Sequence, residues 1–96
     1  MIPKNSSKLV TKEHIPNLRF SKTETLKTKQ KQNLRAHYLR RASQLGNLLK
    51  NKVKIYFKNH KDELLHVNTT IWAVTSNFVI LKKGVTIPKS SIVYID

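Results

Sequence analysis

Apolar and polar residues change their rhythm twice along this chain, and the changes divide it into three parts. Over residues 1–21 the apolar side chains are scattered. Pro3 and Pro16 interrupt any regular run, and Ser and Asn recur, which is the pattern of a flexible leader with a local turn at Ile15-Pro16. Residues 22–51 hold no proline and one glycine. There Leu34, Tyr38, Ala42, Leu45 and Leu49 follow at spacings of four, four, three and four, which is one stripe of an α-helix. Ser21 or Thr23 can cap its start, and Glu24 falls in the first turn, where negative charge suits the helix dipole. Gly46 marks a kink or break.

From Val53 the period becomes two. Val53, Ile55 and Phe57 alternate with Lys54, Tyr56 and Lys58, so a half-buried strand is expected with Tyr56 on its outer face. Residues 59–62 read as a turn. Residues 64–75, with Val67, Ile71, Trp72 and Val74, form a β-prone stretch long enough to bend across a small barrel. A second turn at 76–77 leads to a strand over 78–82, and Lys83-Gly84 makes a tight hairpin into 85–87. Pro88 has no N–H for a ladder, so the strand ends there or lies at an edge. A short connection over 89–91 then leads to a last strand over 92–95. The expected fold is mainly β: a basic N-terminal helix and a small, five-stranded, strongly bent antiparallel barrel over 53–96.

Charge separates the halves more sharply than hydropathy does. The chain carries 19 Lys and Arg against 5 Asp and Glu, a net +14. Residues 1–52 hold 13 basic and 2 acidic side chains (+11), and residues 53–96 hold 6 and 3 (+3). A basic arm on a nearly balanced domain suits a polyanion, because each neutralised phosphate releases a condensed counterion. Lys27, Lys29, Lys31, Arg35, Arg40 and Arg41 are the candidates for phosphate attraction along the helix.

Chemistry of other kinds has little to stand on. His14, His37, His60 and His66 lack metal-ligand spacing and there is no cysteine, so no metal site and no cofactor are expected. Asp62 and Glu63 are adjacent at a turn, Ser90 and Ser91 have no base beside them, and no glycine-rich phosphate loop exists. The chain is read as non-enzymatic. It has no run of apolar residues suited to a signal peptide or a bilayer span, and cytoplasmic residence is expected, without membrane association.

The run LGNLLKNKVKIYFKN, followed by TTIWAVTSNFVILKKGVTIPKSSIVYI, resembles the Sm-like proteins and among them the bacterial Hfq RNA-chaperone family. The likeness lies in a helix leading into V-x-I-Y-F-x-N, then F-V-I-L, then a hairpin and the closing strands. It implies an Sm-like (SH3-like) barrel whose fourth and fifth strands pair between subunits to close a ring, a hexamer as in the Hfq family. Val85, Ile87, Ile92, Val93 and Tyr94 are the interface residues so implied. The family's Tyr-Lys-His before the last strand reads Pro88-Lys89-Ser90 here, and Lys89 is the shared residue of a base-binding pocket to which Gln44 would also belong. Together with Tyr56, Asn59 and Asn77, these form the expected base-reading set. The expected function is binding of single-stranded RNA, U-rich or A-rich, on a homo-oligomeric ring, acting as RNA chaperone or post-transcriptional regulator. Two other functions stay open: a DNA-binding, chromosome-associated protein on an SH3-like barrel, and a non-catalytic assembly protein docked on an acidic partner.

Overall fold

A computed structural model describes residues 7–49 and 52–96, with residues 45–49 described by their backbone alone. One helix and seven short strands arrange themselves in two sheets. In chain order they are β1 (Lys8–Leu9), α1 (Lys29–Leu49), β2 (Val53–Lys58), β3 (Leu64–Thr69), β4 (Ile71–Val74), β5 (Phe78–Leu81), β6 (Thr86–Pro88) and β7 (Ile92–Ile95). The first sheet has the order β1-β3-β2-β7 and the second β4-β5-β6. β1 runs parallel to β3, and every other pairing is antiparallel. β3 and β4 are one length of chain bent at Thr70, whose carbonyl accepts the Lys82 N–H at 3.0 Å. The chain thus passes from one sheet to the other without a loop.

Alternation explains which side chains meet inside. Ile55 and Phe57 of β2, Leu65 and Val67 of β3, Ile71 of β4, Val79 and Leu81 of β5, and Ile87 of β6 point into one shared core. Ile92 and Ile95 both join it although they stand three apart. The β2–β7 register steps from Phe57↔Ile92 to Tyr56↔Tyr94, and the skipped Val93 restores the parity. The β4–β5 register likewise steps from Ile71↔Leu81 to Ala73↔Ile80, skipping Trp72, which is left largely exposed. The turns fall where turn residues predict them. Lys83 and Gly84 both take positive φ, 71° and 81°, within a three-residue turn over Lys82–Gly84 that the Leu81 N–H closes on the Val85 carbonyl at 2.7 Å. Open space surrounds the Gly84 Cα, so backbone conformation, not crowding, calls for glycine there.

The N-terminal half differs from its sequence reading in two ways. The described part of the leader is a layer of the core and not a free arm. β1 lies on β3, and a 3-10 turn over Lys12–Asn17 buries Ile15 completely. Phe20 stands 5.6 Å from the Phe57 ring. Residues 1–6 lie outside the described residues.

The helix, too, starts later, at Lys29. Thr28 caps it instead of Ser21 or Thr23: its hydroxyl accepts the Lys31 N–H at 3.2 Å, and its carbonyl accepts the Gln32 N–H at 3.1 Å. The buried face is Arg35, Leu39 and Ala42, while Leu34 and Tyr38 are 51% and 40% exposed. Ala42 is common to both faces, while the buried Arg35 and Leu39 each stand one residue, about 100°, on from Leu34 and Tyr38 of the apolar stripe. The cause is that an arginine holds a buried position through an ion pair. α1 continues through Gly46 without a break, and the side chains of Leu45 and Leu49 lie outside the description. Among the described residues no helix is long and apolar enough to cross a membrane.

Candidate nucleic-acid interface

Residues 22–28, expected to be helical, run instead along the start of β7 and are tied to it. The Thr25 N–H and hydroxyl both donate to the Ser90 carbonyl at 2.9 Å, and the hydroxyl also reaches the Ile92 carbonyl at 3.1 Å. Arg35 closes the clasp. Its two terminal nitrogens donate to the Glu24 carboxylate at 2.6 and 2.7 Å, and one of them donates to the Ile92 carbonyl at 2.9 Å. Hydrogen bonding from Arg35 holds the Glu24 carboxyl below its ordinary value of 4.5, against the opposing effect of burial. Arg35, a sequence candidate for phosphate, is thus buried and neutralised. A planar fork that satisfies a carboxylate bidentately is better placed inside than a lysine would be.

Two base-reading candidates come together at the other side of this clasp. The Lys89 N–H donates to the Asn77 carbonyl at 2.9 Å, so the 3-10 turn Lys89–Ser91 rests on the β4–β5 turn. Ser91, fully buried, locks that turn by donating to the Pro88 carbonyl at 2.7 Å. Beside the pair stands Phe78, directly across from Pro88 and 45% exposed. The half-buried Lys89 and the exposed Asn77 and Phe78, a cation, an amide and an aromatic ring, are thus neighbours along the backbone. From sequence, Phe78 is one of five aromatics, with Trp72, Tyr56, Phe57 and Tyr94, that could stack on a base, but a core role is expected for it and Tyr56 is the preferred candidate. A signal for it exists, since period two from the inward Val79 and Leu81 turns it outward.

Two other candidates are engaged elsewhere. Tyr56, expected outside for stacking, is 1% exposed. It does face away from the core, but His66 on β3 and Tyr94 on β7 close over it with ring centroids at 5.6 and 6.1 Å. Ser7 Oγ lies 2.7 Å from His66 Nδ1, and burial, aided by Lys54, pushes the His66 pKa down. Asn59 organises its own turn. Its amide donates to Glu63 at 2.8 Å while its side-chain oxygen accepts the Lys61 and Glu63 N–H groups at 3.0 and 2.9 Å. Neither residue is presented to a base.

The remaining helix cations are open. Lys29, Lys31, Arg40 and Arg41 are exposed on α1, which contains no acidic residue, and Lys27 is exposed just before it. Gln44 is exposed on the same helix, and no hydrogen bond joins it to Lys89 among the described residues. Of the expected interface set, Ile87 and Ile92 send their side chains into the core, Val85 and Val93 are half-buried, and Tyr94 is exposed. β6 and β7 are each the last strand of their sheet, with Ile92's carbonyl already taken by Thr25 and Arg35. Among the described residues no three His, Cys, Asp or Glu side chains gather as a metal site would require. No protein-family model matches the chain, and no curated protein or solved structure matches it significantly.

Proposed function

We propose that the chain is a non-catalytic, cytoplasmic RNA-binding module of Sm-like type, in which the two sheets are the halves of one strongly bent five-stranded barrel. The strand course supports this: β2, a bent β3–β4 segment, β5, β6, a one-turn 3-10 connection, and β7 returning to β2. The observation that carries the functional reading is the backbone neighbourhood of Phe78, Lys89 and Asn77 in a chain whose acid-free helix bears four exposed cations. Phe78 offers a face on which any base can stack, and Lys89 offers charge to the neighbouring phosphate. The helix adds sequence-independent attraction. Single-stranded RNA meets these requirements better than a duplex, whose bases are already stacked. As terminal strands, β6 and β7 support assembly into a homo-oligomeric ring, a hexamer by the family resemblance.

Competition at fixed salt among poly-U, poly-A and duplex DNA tests the ligand. Single strands should win, and Phe78→Ala should remove most of their advantage. Preference for the duplex would replace this reading with the DNA-binding one. Binding to no polyanion would leave the assembly protein. Native mass measured with and without RNA tests the ring, and a monomer under both conditions would end that part of the proposal.

A further inference from the structure

An open cleft of ≈300 Å³ lies where the leader crosses the β2–β3 turn, lined by Asn17, Leu18, Arg19, Asn59, His60 and Lys61. Two segments far apart in sequence are pinned to each other there. The His60 N–H donates to the Arg19 carbonyl at 2.9 Å, and the Ser21 N–H donates to the Lys58 carbonyl at 3.1 Å. His60 Nδ1 sits 3.3 Å from the same Arg19 carbonyl, which can only accept. Arg19, His60 and Lys61 are all exposed. The two carboxylates of the turn are held by neighbours: Asp62 lies 3.4 Å from Lys58, and Glu63 accepts from Asn59 at 2.8 Å.

We infer that this cleft is a phosphate-binding subsite for single-stranded RNA, gripping the backbone of the strand whose base stacks on Phe78. The inference rests on the RNA-binding reading and extends it from one patch to a track. The leader supplies the track. Six residues after Arg19 it reaches Thr25, which is bonded to Ser90 beside Lys89. Six extended residues span at most about 20 Å. The exposed Lys22 lies in that stretch and the exposed Lys27 two residues beyond it. A cleft lined by an exposed arginine and an exposed lysine suits a phosphodiester, which accepts hydrogen bonds and carries one charge. A base would find no exposed aromatic ring there besides His60.

Length dependence provides the test. Binding of fluorescein-labelled oligouridylates, one of three nucleotides and one of nine, is measured on the wild type, Arg19→Gln/Lys61→Gln and Arg40→Gln. The double variant should bind the nine-mer roughly tenfold more weakly, the effect of removing one charge-assisted hydrogen bond, and the three-mer almost unchanged. Arg40→Gln should weaken both lengths slightly and equally. Equal weakening on both lengths in the double variant, or none at all, overturns the inference. Should neither oligonucleotide bind the wild type, the RNA reading has failed, and inorganic phosphate titrated against the His60 ring resonances decides about the cleft alone. Saturable shifts in the wild type that vanish in the double variant support an anion site. The absence of saturable shifts removes it.

Discussion

Tyr56 and Phe78 invite comparison because both alternate with core residues on their strands and both face away from the core. One is sealed and the other is open. Tyr56 sits on a central strand of the four-stranded sheet, flanked by His66 and Tyr94 in its own cross-strand row. Phe78 begins β5, where its neighbour across the ladder is the small, rigid Pro88 and a turn precedes it. Alternation decides which side of a sheet a residue faces. Whether that side meets water depends on the sizes of its lateral neighbours. An outward aromatic between two aromatics is structural, whereas one beside a proline remains available to a ligand.

The sharpest way to break the comparison is truncation at the sealed ring. Tyr56→Ala should cost about 3–5 kcal/mol of stability, read from the urea midpoint, because the large side chain is enclosed. RNA affinity per folded molecule should barely change.

Next comes the clasp, which sets a buried cation against the open ones. Arg35→Met should cost about 2–3 kcal/mol, below the full penalty for breaking a buried pair because the Glu24 side chain is 32% exposed. Glu24 also predicts the pH dependence. Its folded pKa lies below the ordinary 4.5, so in acid the unfolded state binds its proton first. Its stabilisation is therefore present above 4.5 and is lost as pH falls through the depressed folded value. Glu24→Gln should flatten that part of the acid-unfolding curve, and an unchanged curve would show that the pair contributes nothing.

At the open ring, Phe78→Ala should weaken binding of single-stranded RNA by about 1–2 kcal/mol, roughly tenfold, through removal of one stacked ring. Its urea midpoint should stay close to the wild type's. The smallest effect belongs to a helix cation. Lys31→Gln should reduce the slope of log affinity against log salt by about 0.7 if that lysine neutralises one phosphate of a single strand. The same experiment on Arg35 would mislead, since any weakening there would follow from the clasp.

The two halves of the chain differ in how far pattern alone reveals them. From Val53 onward, strands and turns are specified locally by period two and by turn residues such as Asn59, Gly84 and Pro88, and the observed elements fall within a residue or two of their expected places. The N-terminal half is specified by contacts that no window can contain. Arg35 reads as a solvent-facing charge unless Glu24 and the Ile92 carbonyl are known to meet it. Ile15 looks like an isolated hydrophobe in a polar leader until β3 and β6 surround it. The site shows the same division. Lys89 and Asn77 are legible as single residues, but their contact, and Phe78 beside them, require the fold.

The clasp also fixes an order of events during synthesis. Thr25 leaves the ribosome well before its partner Ser90, which lies 65 residues later, and Arg35 must wait 57 residues for Ile92. At 5–20 residues per second, the Thr25 segment spends roughly 3–13 s without the strand that holds it. For its own 57 residues, roughly 3–11 s, Arg35 is one more accessible cation on a nascent chain emerging beside ribosomal RNA. Folding must therefore draw the arginine away from a polyanion as well as out of water. Chains halted before residue 90 should hold RNA with a steeper salt dependence than chains released and folded through β7, by the one cation that folding withdraws.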